Sequence, residues 1–227
     1  EIGNLMNLDE LVLSQNQLSG EIPSSFWVPN LSGLTVIDFW GNNLTGEIPS
    51  EIEIFTYLNI LSLGNNNFSG EIPLEIWSLP DLFILNIESN NFIGEIPPEI
   101  GNSNLMSLTL NDNQFNGLVP IEICNLDQST WSDSGCWLCS TIFNNNFCSP
   151  YPSCIQDYVG YQDTSECFEC SETNGDINND NILDILDIVS TVNCILSDNC
   201  NECSDMNGDE IIDILDIVLM VNFIMDI

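Results

Sequence analysis

The chain has 227 residues, of which 35 are Asp or Glu and none is Lys, Arg or His, so its formal net charge is -35. Only 15% of residues are charged, below the usual quarter, so cations are missing more than acids are in surplus. This composition excludes side-chain salt bridges and catalysis by His, by a Lys Schiff base or by an Arg clamp, and it repels phosphate backbones and anionic lipid surfaces.

Glycines at 20, 46, 70, 94 and 117 recur every 26, 24, 24 and 23 residues within one phrase. The phrase runs from Asn16 to Pro23, Asn42 to Pro49, Asn66 to Pro73, Asn90 to Pro97 and, more loosely, Asn113 to Pro120. Upstream of each Asn stands L-x-x-L-x-L-x-x-N, as in Leu58, Leu61 and Leu63 before Asn66. These residues resemble leucine-rich repeats, and the 24-residue spacing with G-x-I-P resembles the plant-specific subclass. The resemblance implies an α/β repeat solenoid over 1-123, in which leucines stack into one core and asparagine amides ladder the buried turns.

Strand positions between the leucines form expected columns across the solenoid: Val36, Ile60, Ile84; Asp38, Ser62, Asn86, Thr109; Trp40, Gly64, Glu88, Asn111. An apolar binding face is expected from Val36, Trp40, Ile60, Phe83, Ile84 and Met106. Glu1 to Leu5 is in phase with the segments at Glu51, Glu75 and Glu99, which offers the first repeat as a place for another chain to dock. N-x-S/T sequons at Asn30, Asn43 and Asn67 are candidate glycosylation sites.

All ten cysteines lie beyond the fifth repeat: Cys124, Cys136, Cys139, Cys148, Cys154, Cys167, Cys170, Cys194, Cys200 and Cys203. Three C-x-x-C pairs suggest zinc, but the gaps between pairs are 27 and 29 residues and no His is available. Redox catalysis needs thiolates favoured by neighbouring cations, and the chain has none. Structural disulfides in an oxidising, extracellular setting are the expectation, with Cys148–Cys154 as the local bridge. Residues 124-154 then read as a cystine-rich degenerate repeat that caps the solenoid, and 155-175 as a linker.

From 176 to 227 a pattern occurs twice, 29 residues apart: Asp176, Asn178, Asp180, Ile182, Asp184 and Asp187, then Asp205, Asn207, Asp209, Ile211, Asp213 and Asp216. These are offsets 1, 3, 5, 7, 9 and 12 of a loop that wraps oxygens around a cation, with offset 7 giving its carbonyl. Like charges about 4 Å apart repel by roughly 1 kcal/mol in water and about 4 kcal/mol near a protein surface, so each loop calls for a bound cation. Hard oxygen ligands in an all-protein cage point to Ca2+ at two sites.

Helical periodicity follows each loop, at Ile185, Ile188, Val189, Val192 and Leu196 and at Ile214, Ile217, Val218, Val221 and Ile224. The two stripes are expected to pack on each other. Residues 176-227 resemble a type I dockerin, the duplicated calcium-loop module that docks into cohesin domains. Where that family often carries a hydroxyl pair that reads the cohesin, this chain has Ile185 with Leu186 and Ile214 with Leu215.

The expected architecture is therefore a leucine-rich repeat solenoid followed by a small all-α, duplicated calcium loop-helix domain. The expected function is extracellular, non-enzymatic protein-protein association through solenoid and tail, without nucleic acid or membrane insertion. One alternative is a subunit that self-assembles head to tail into a surface filament or homo-polymer. A second is a glycosidase working with carboxylates alone.

Overall fold

The computed structural model describes residues 2-126, 130-132, 139-148, 151-165, 167, 175-177, 182-197, 200, 204-206 and 211-225. The chain forms two compact units, 1-167 and 168-227.

In the first unit each repeat contributes two short strands separated by a tight turn. The strands are β1 Glu10–Val12, β2 Ser19–Glu21, β3 Val36–Asp38, β4 Asn43–Gly46, β5 Ile60–Ser62, β6 Asn67–Gly70, β7 Ile84–Asn86, β8 Asn91–Gly94, β9 Ser107–Thr109, β10 Gln114–Leu118 and β11 Asn146–Cys148. Odd strands β1 to β9 form one parallel sheet, and β2, β4, β6, β8, β10 and β11 form a second. Parallel neighbours need crossovers, and here each crossover is one turn of the solenoid.

After the G-x-I-P phrase the chain makes a short 3-10 turn, as at Ser50–Ile54, Leu74–Ser78 and Ile121–Asn125. Proline before each turn holds φ near -65° to -81° in extended backbone and so marks where the turn begins. The glycine of the phrase is required by its backbone. Gly46 has φ +94°, and a Cβ there would sit 2.9 Å from the Glu21 Cγ of the previous repeat. Glu21, Glu47, Glu71 and Glu95 thus stack on successive glycines as an exposed acidic column with no cation to neutralise it, and only dissolved salt screens it.

Leu34, Leu58, Leu82 and Leu105 and their repeat partners are buried, and Phe68, Phe92, Phe115 and Phe147 add a spine beside them. The rings lie 6.2, 6.3 and 6.1 Å apart, tilted by 6°, 12° and 6°. At that spacing the aromatic pairs are offset and attractive.

The asparagine amides close the turns. Asn66 Nδ2 donates to the carbonyl of Leu63 at 3.0 Å and to that of Phe39, one repeat back, at 2.9 Å, while its Oδ1 accepts the Leu44 N–H at 2.9 Å. Asn42, Asn90, Asn113 and Asn145 make the same three contacts in their repeats. Gln162 ends the series, donating to Val159 at 2.8 Å and Ile142 at 3.1 Å and accepting from Phe147 N–H at 3.2 Å.

Gln162 lies beyond the boundary at 154 that the cysteine pattern suggested, so the solenoid unit includes part of the segment read as a linker. The cap is fastened by Cys124–Cys154 and Cys148–Cys167. The expected Cys148–Cys154 bridge does not form. Cys148 sits on β11, side by side with β10, while Cys154 reaches back to the 3-10 turn at Ile121–Asn125, a geometry that sequence proximity does not reveal. Cys139 is also disulfide-bonded; Cys136, Cys170 and Cys203 lie outside the described residues.

The second unit contains α1 Ile185–Ser197 and α2 Ile214–Met225, with Cys194–Cys200 closing a short loop after α1. The two helices touch, but only part of each expected apolar stripe is covered: Ile188, Val192, Ile217 and Val221 are half-buried. Asp187, Thr191, Asp216 and Met220 are the buried positions, whereas Ile185, Val189, Leu196, Ile214, Val218 and Ile224 are exposed. Thr191 Oγ1 lies 3.3 Å from Met220 Sδ, and these are equivalent residues of the duplication. Each helix thus turns an aspartate inward while part of its apolar stripe faces outward.

Replacing Asn90 with Ala strands buried backbone groups in two repeats, at about 1–3 kcal/mol for each group left unsatisfied. Chemical denaturation of N90A is expected to show a loss of about 2–4 kcal/mol.

Candidate functional site

The odd-numbered strands place their outward side chains in rows that run across repeats. Register pairs Val36 with Ile60, Ile84 and Ser107, and Asp38 with Ser62, Asn86 and Thr109. Above them run Trp40, Gly64 and Glu88. All of these but Gly64 line a groove of about 690 Å3 that Ser14, Gln15 and Thr141 complete. Its floor is aliphatic at Val36, Ile60 and Ile84, and Asp38 and Glu88 are the ionisable groups that line it.

Trp40 crosses one whole repeat. Its Nε1–H donates to Glu88 Oε1 at 3.1 Å, and the intervening residue is Gly64, where a Cβ would lie 2.9 Å from Trp40 Cδ1 and from Glu88 Cγ. Asp38 Oδ1 accepts the Trp40 N–H at 3.1 Å, and Asn86 Oδ1 accepts the Glu88 N–H at 3.2 Å. Indole and carboxylate are therefore each fixed at both side chain and backbone.

Of the expected apolar face, the structure gathers Val36, Trp40, Ile60 and Ile84 in the groove. Phe83 and Met106, 40% and 57% exposed, precede their strands and lie outside it. Thr109 and Asn111, read as exposed columns, are buried. The cap is the cause: Thr141 pairs with Thr109, Ser107 Oγ donates to Cys139 O at 3.1 Å, and Thr141 Oγ1 donates to Asn111 Oδ1. Thr109 Oγ1 itself is buried without a hydrogen-bond partner. The Trp40–Glu88 bridge was missed by sequence reading, although Gly64, a small residue in a column of large ones, was its trace.

In the tail, the two loops are built alike. Asp187 is fully buried, its Oδ1 accepting Ile177 N–H at 2.8 Å and its Oδ2 accepting Asp184 N–H at 2.9 Å. Asp216 repeats this with Met206 and Asp213 at 2.8 Å each. Asp184 and Asp213 cap the helices, each accepting the N–H two residues on, of Leu186 and Leu215, at 2.7 Å. Asp176 is buried, Asp205 is half-buried, and the side chains of Ile182 and Ile211 are exposed. Asn178, Asp180, Asn207 and Asp209 lie outside the described residues. Among the described residues no group of three acidic or cysteine side chains converges closely enough to hold an ion. Asn30, Asn43 and Asn67 are exposed, the last two at equivalent places on β4 and β6.

The leucine-rich repeat family model matches residues 7-28, 33-54, 57-79, 81-103 and 104-126. A chain of the BIR3–SERK2 complex from Arabidopsis thaliana is 32% identical, aligned over 63% of this chain and 72% of that one, with a TM-score of 0.51. The chain belongs to the leucine-rich repeat family. This leucine-rich repeat protein is also similar to the plant peptide hormone receptor RGFR1 in complex with RGF2, at 37% identity, 64% of this chain, 22% of that chain and TM-score 0.56. For a TDR receptor the figures are 36%, 68%, 25% and 0.59. The chain thus spans about a quarter or less of the length of these receptors. No match is found among curated proteins.

Gly64→Ala should push the indole off Glu88. The Trp40 Nε1–H resonance, assigned by its loss in W40F, is expected to move and to exchange faster with water; an unmoved resonance would contradict the bridge.

Proposed function

We propose that this leucine-rich repeat protein is a non-enzymatic association module that works outside the cell, holding a protein or peptide partner in the groove of its solenoid. The observation that carries this is the groove itself: an aliphatic floor rimmed by fixed polar groups, the common makeup of a recognition site. Similar solved structures include the plant peptide hormone receptor RGFR1 in complex with RGF2 and the BIR3–SERK2 complex, which supports the reading. The disulfides support an oxidising compartment. No helix among the described residues is long and apolar enough to cross a membrane.

The tail loops, on this reading, bind two Ca2+ ions and fold a dockerin-like second coupling surface. What supports it is two carboxylates, Asp187 and Asp216, fully buried in a chain without one cationic side chain. Burying carboxylates in a chain without a cationic side chain is costly, and a bound divalent ion would offset that cost. The Ca2+ would supply the missing charge, with Asp176, Asp184 and Asp187 and the carbonyl of Ile182 as oxygen donors in the first loop and their equivalents in the second.

A photo-crosslinking residue at Ser62, in the groove, is expected to label a partner from the extracellular fraction of the source cells, whereas the same residue at Thr45, on the other sheet, is not. Equal labelling from both would remove the groove from the proposal. EDTA is expected to lower the melting temperature of the tail unit and leave that of the solenoid in place, with D187A and D216A each removing one ion by elemental analysis. A melting profile indifferent to EDTA and Ca2+ would end the metal reading.

A further inference from the structure

We infer that the groove selects a partner segment bearing an arginine flanked by aliphatic side chains, an inference that rests on the groove being the partner site. The charged groups that face this groove are all of one sign: Asp38 and Glu88 line it, and the chain has no Lys, Arg or His anywhere to balance them. A partner therefore has to bring the positive charge.

The geometry narrows which cation. Glu88 is held through Oε1 by the Trp40 indole N–H, and Asp38 through Oδ1 by the Trp40 backbone N–H, so the two carboxylates are positioned in advance by one residue. Among the described residues, their second oxygens, Oε2 and Oδ2, accept no hydrogen bond and remain as acceptors. Trp40 is half-buried, so part of its indole stays open to the groove between them. An aromatic face beside fixed carboxylate oxygens suits a planar guanidinium, which stacks and donates in a fork; an ammonium is a more strongly hydrated point charge and does neither as well. Val36, Ile60 and Ile84 on the floor then take the aliphatic neighbours of that arginine.

The fixed geometry matters energetically. Gly64 lets the indole lie across the repeat, and the hydrogen bonds hold both acid groups before any partner arrives, so little side-chain order has to be gained on binding.

The test uses the full chain with Ca2+ present, at about physiological ionic strength to screen diffuse attraction to its surface. The probes are acetylated, amidated Gly-Leu-Arg-Leu-Gly and versions with lysine, or with neutral citrulline, in place of arginine. Binding is read by the Trp40 Nε1–H resonance and by titration calorimetry. The arginine peptide is expected to bind at least about tenfold more tightly than the citrulline peptide and more tightly than the lysine one. Glu88→Gln, which keeps an acceptor for the indole, should erase that preference, and Glu71→Gln, just past β6 and outside the groove, should not. If arginine and citrulline peptides bind the groove equally, the charge selection is wrong while the groove remains a peptide site. If no peptide shifts the Trp40 resonance but a partner still crosslinks at Ser62, the selection is again wrong and the broader reading stands. Equal loss of binding in Glu88→Gln and Glu71→Gln would show attraction to net charge alone and overturn it.

Discussion

A single amide per repeat holds this solenoid together. Short strands connected by tight turns leave backbone N–H and C=O groups pointing into the core, where water cannot reach them, and each would cost about 1–3 kcal/mol unpaired. The side chain of Asn66 reaches one turn back and serves donors and acceptors in both repeats at once. Because the bond crosses from repeat to repeat, it fixes the stacking distance as well as the turn, and the leucine core and the phenylalanine spine pack at that fixed distance. Where the repeat degenerates, Gln162 extends the same chemistry with a longer arm. The rows that line the groove are a consequence: Asp38, Ser62 and Asn86 align because the turns behind them are locked in register.

The second constraint is the missing cation. No side-chain ion pair can form, so every carboxylate is solvated, hydrogen-bonded to N–H groups, or balanced from outside the chain. The three solutions appear in three places. The glutamate column on the second sheet is exposed and left to salt. Glu88 and Asp38 are held by indole and backbone N–H groups in the groove. Asp187 and Asp216 are buried among backbone N–H groups in the tail, in the loops proposed to carry calcium. On the proposed readings, groove and tail share a logic in which positive charge arrives from outside the chain, with a peptide in one and as an ion in the other.

Disulfides replace part of what ion pairs do elsewhere. Cys124–Cys154 and Cys148–Cys167 tie the cap to the last repeats, and the extended cap segment around Thr141 then covers Thr109 and Asn111 at the end of the groove. The cap therefore sets the length of the groove.

The repeat period, the laddering asparagines, the strand columns and the duplicated acidic loops were legible in the chain, because each depends on residues at fixed spacing within one repeat or one loop. Glycine at the G-x-I-P phrase was equally legible, since φ +94° at Gly46 is a local backbone demand. Tertiary structure alone decided the rest. It paired Cys148 with Cys167 in place of its near neighbour, turned the exposed apolar positions of both tail helices outward, buried Thr109 and Asn111 under the cap, and carried Trp40 over Gly64 to Glu88. Each of these is a contact between side chains brought together from distant positions, or a burial set by which face of an element meets another. Local spacing holds no record of such meetings, because they are fixed by how whole repeats and helices stack.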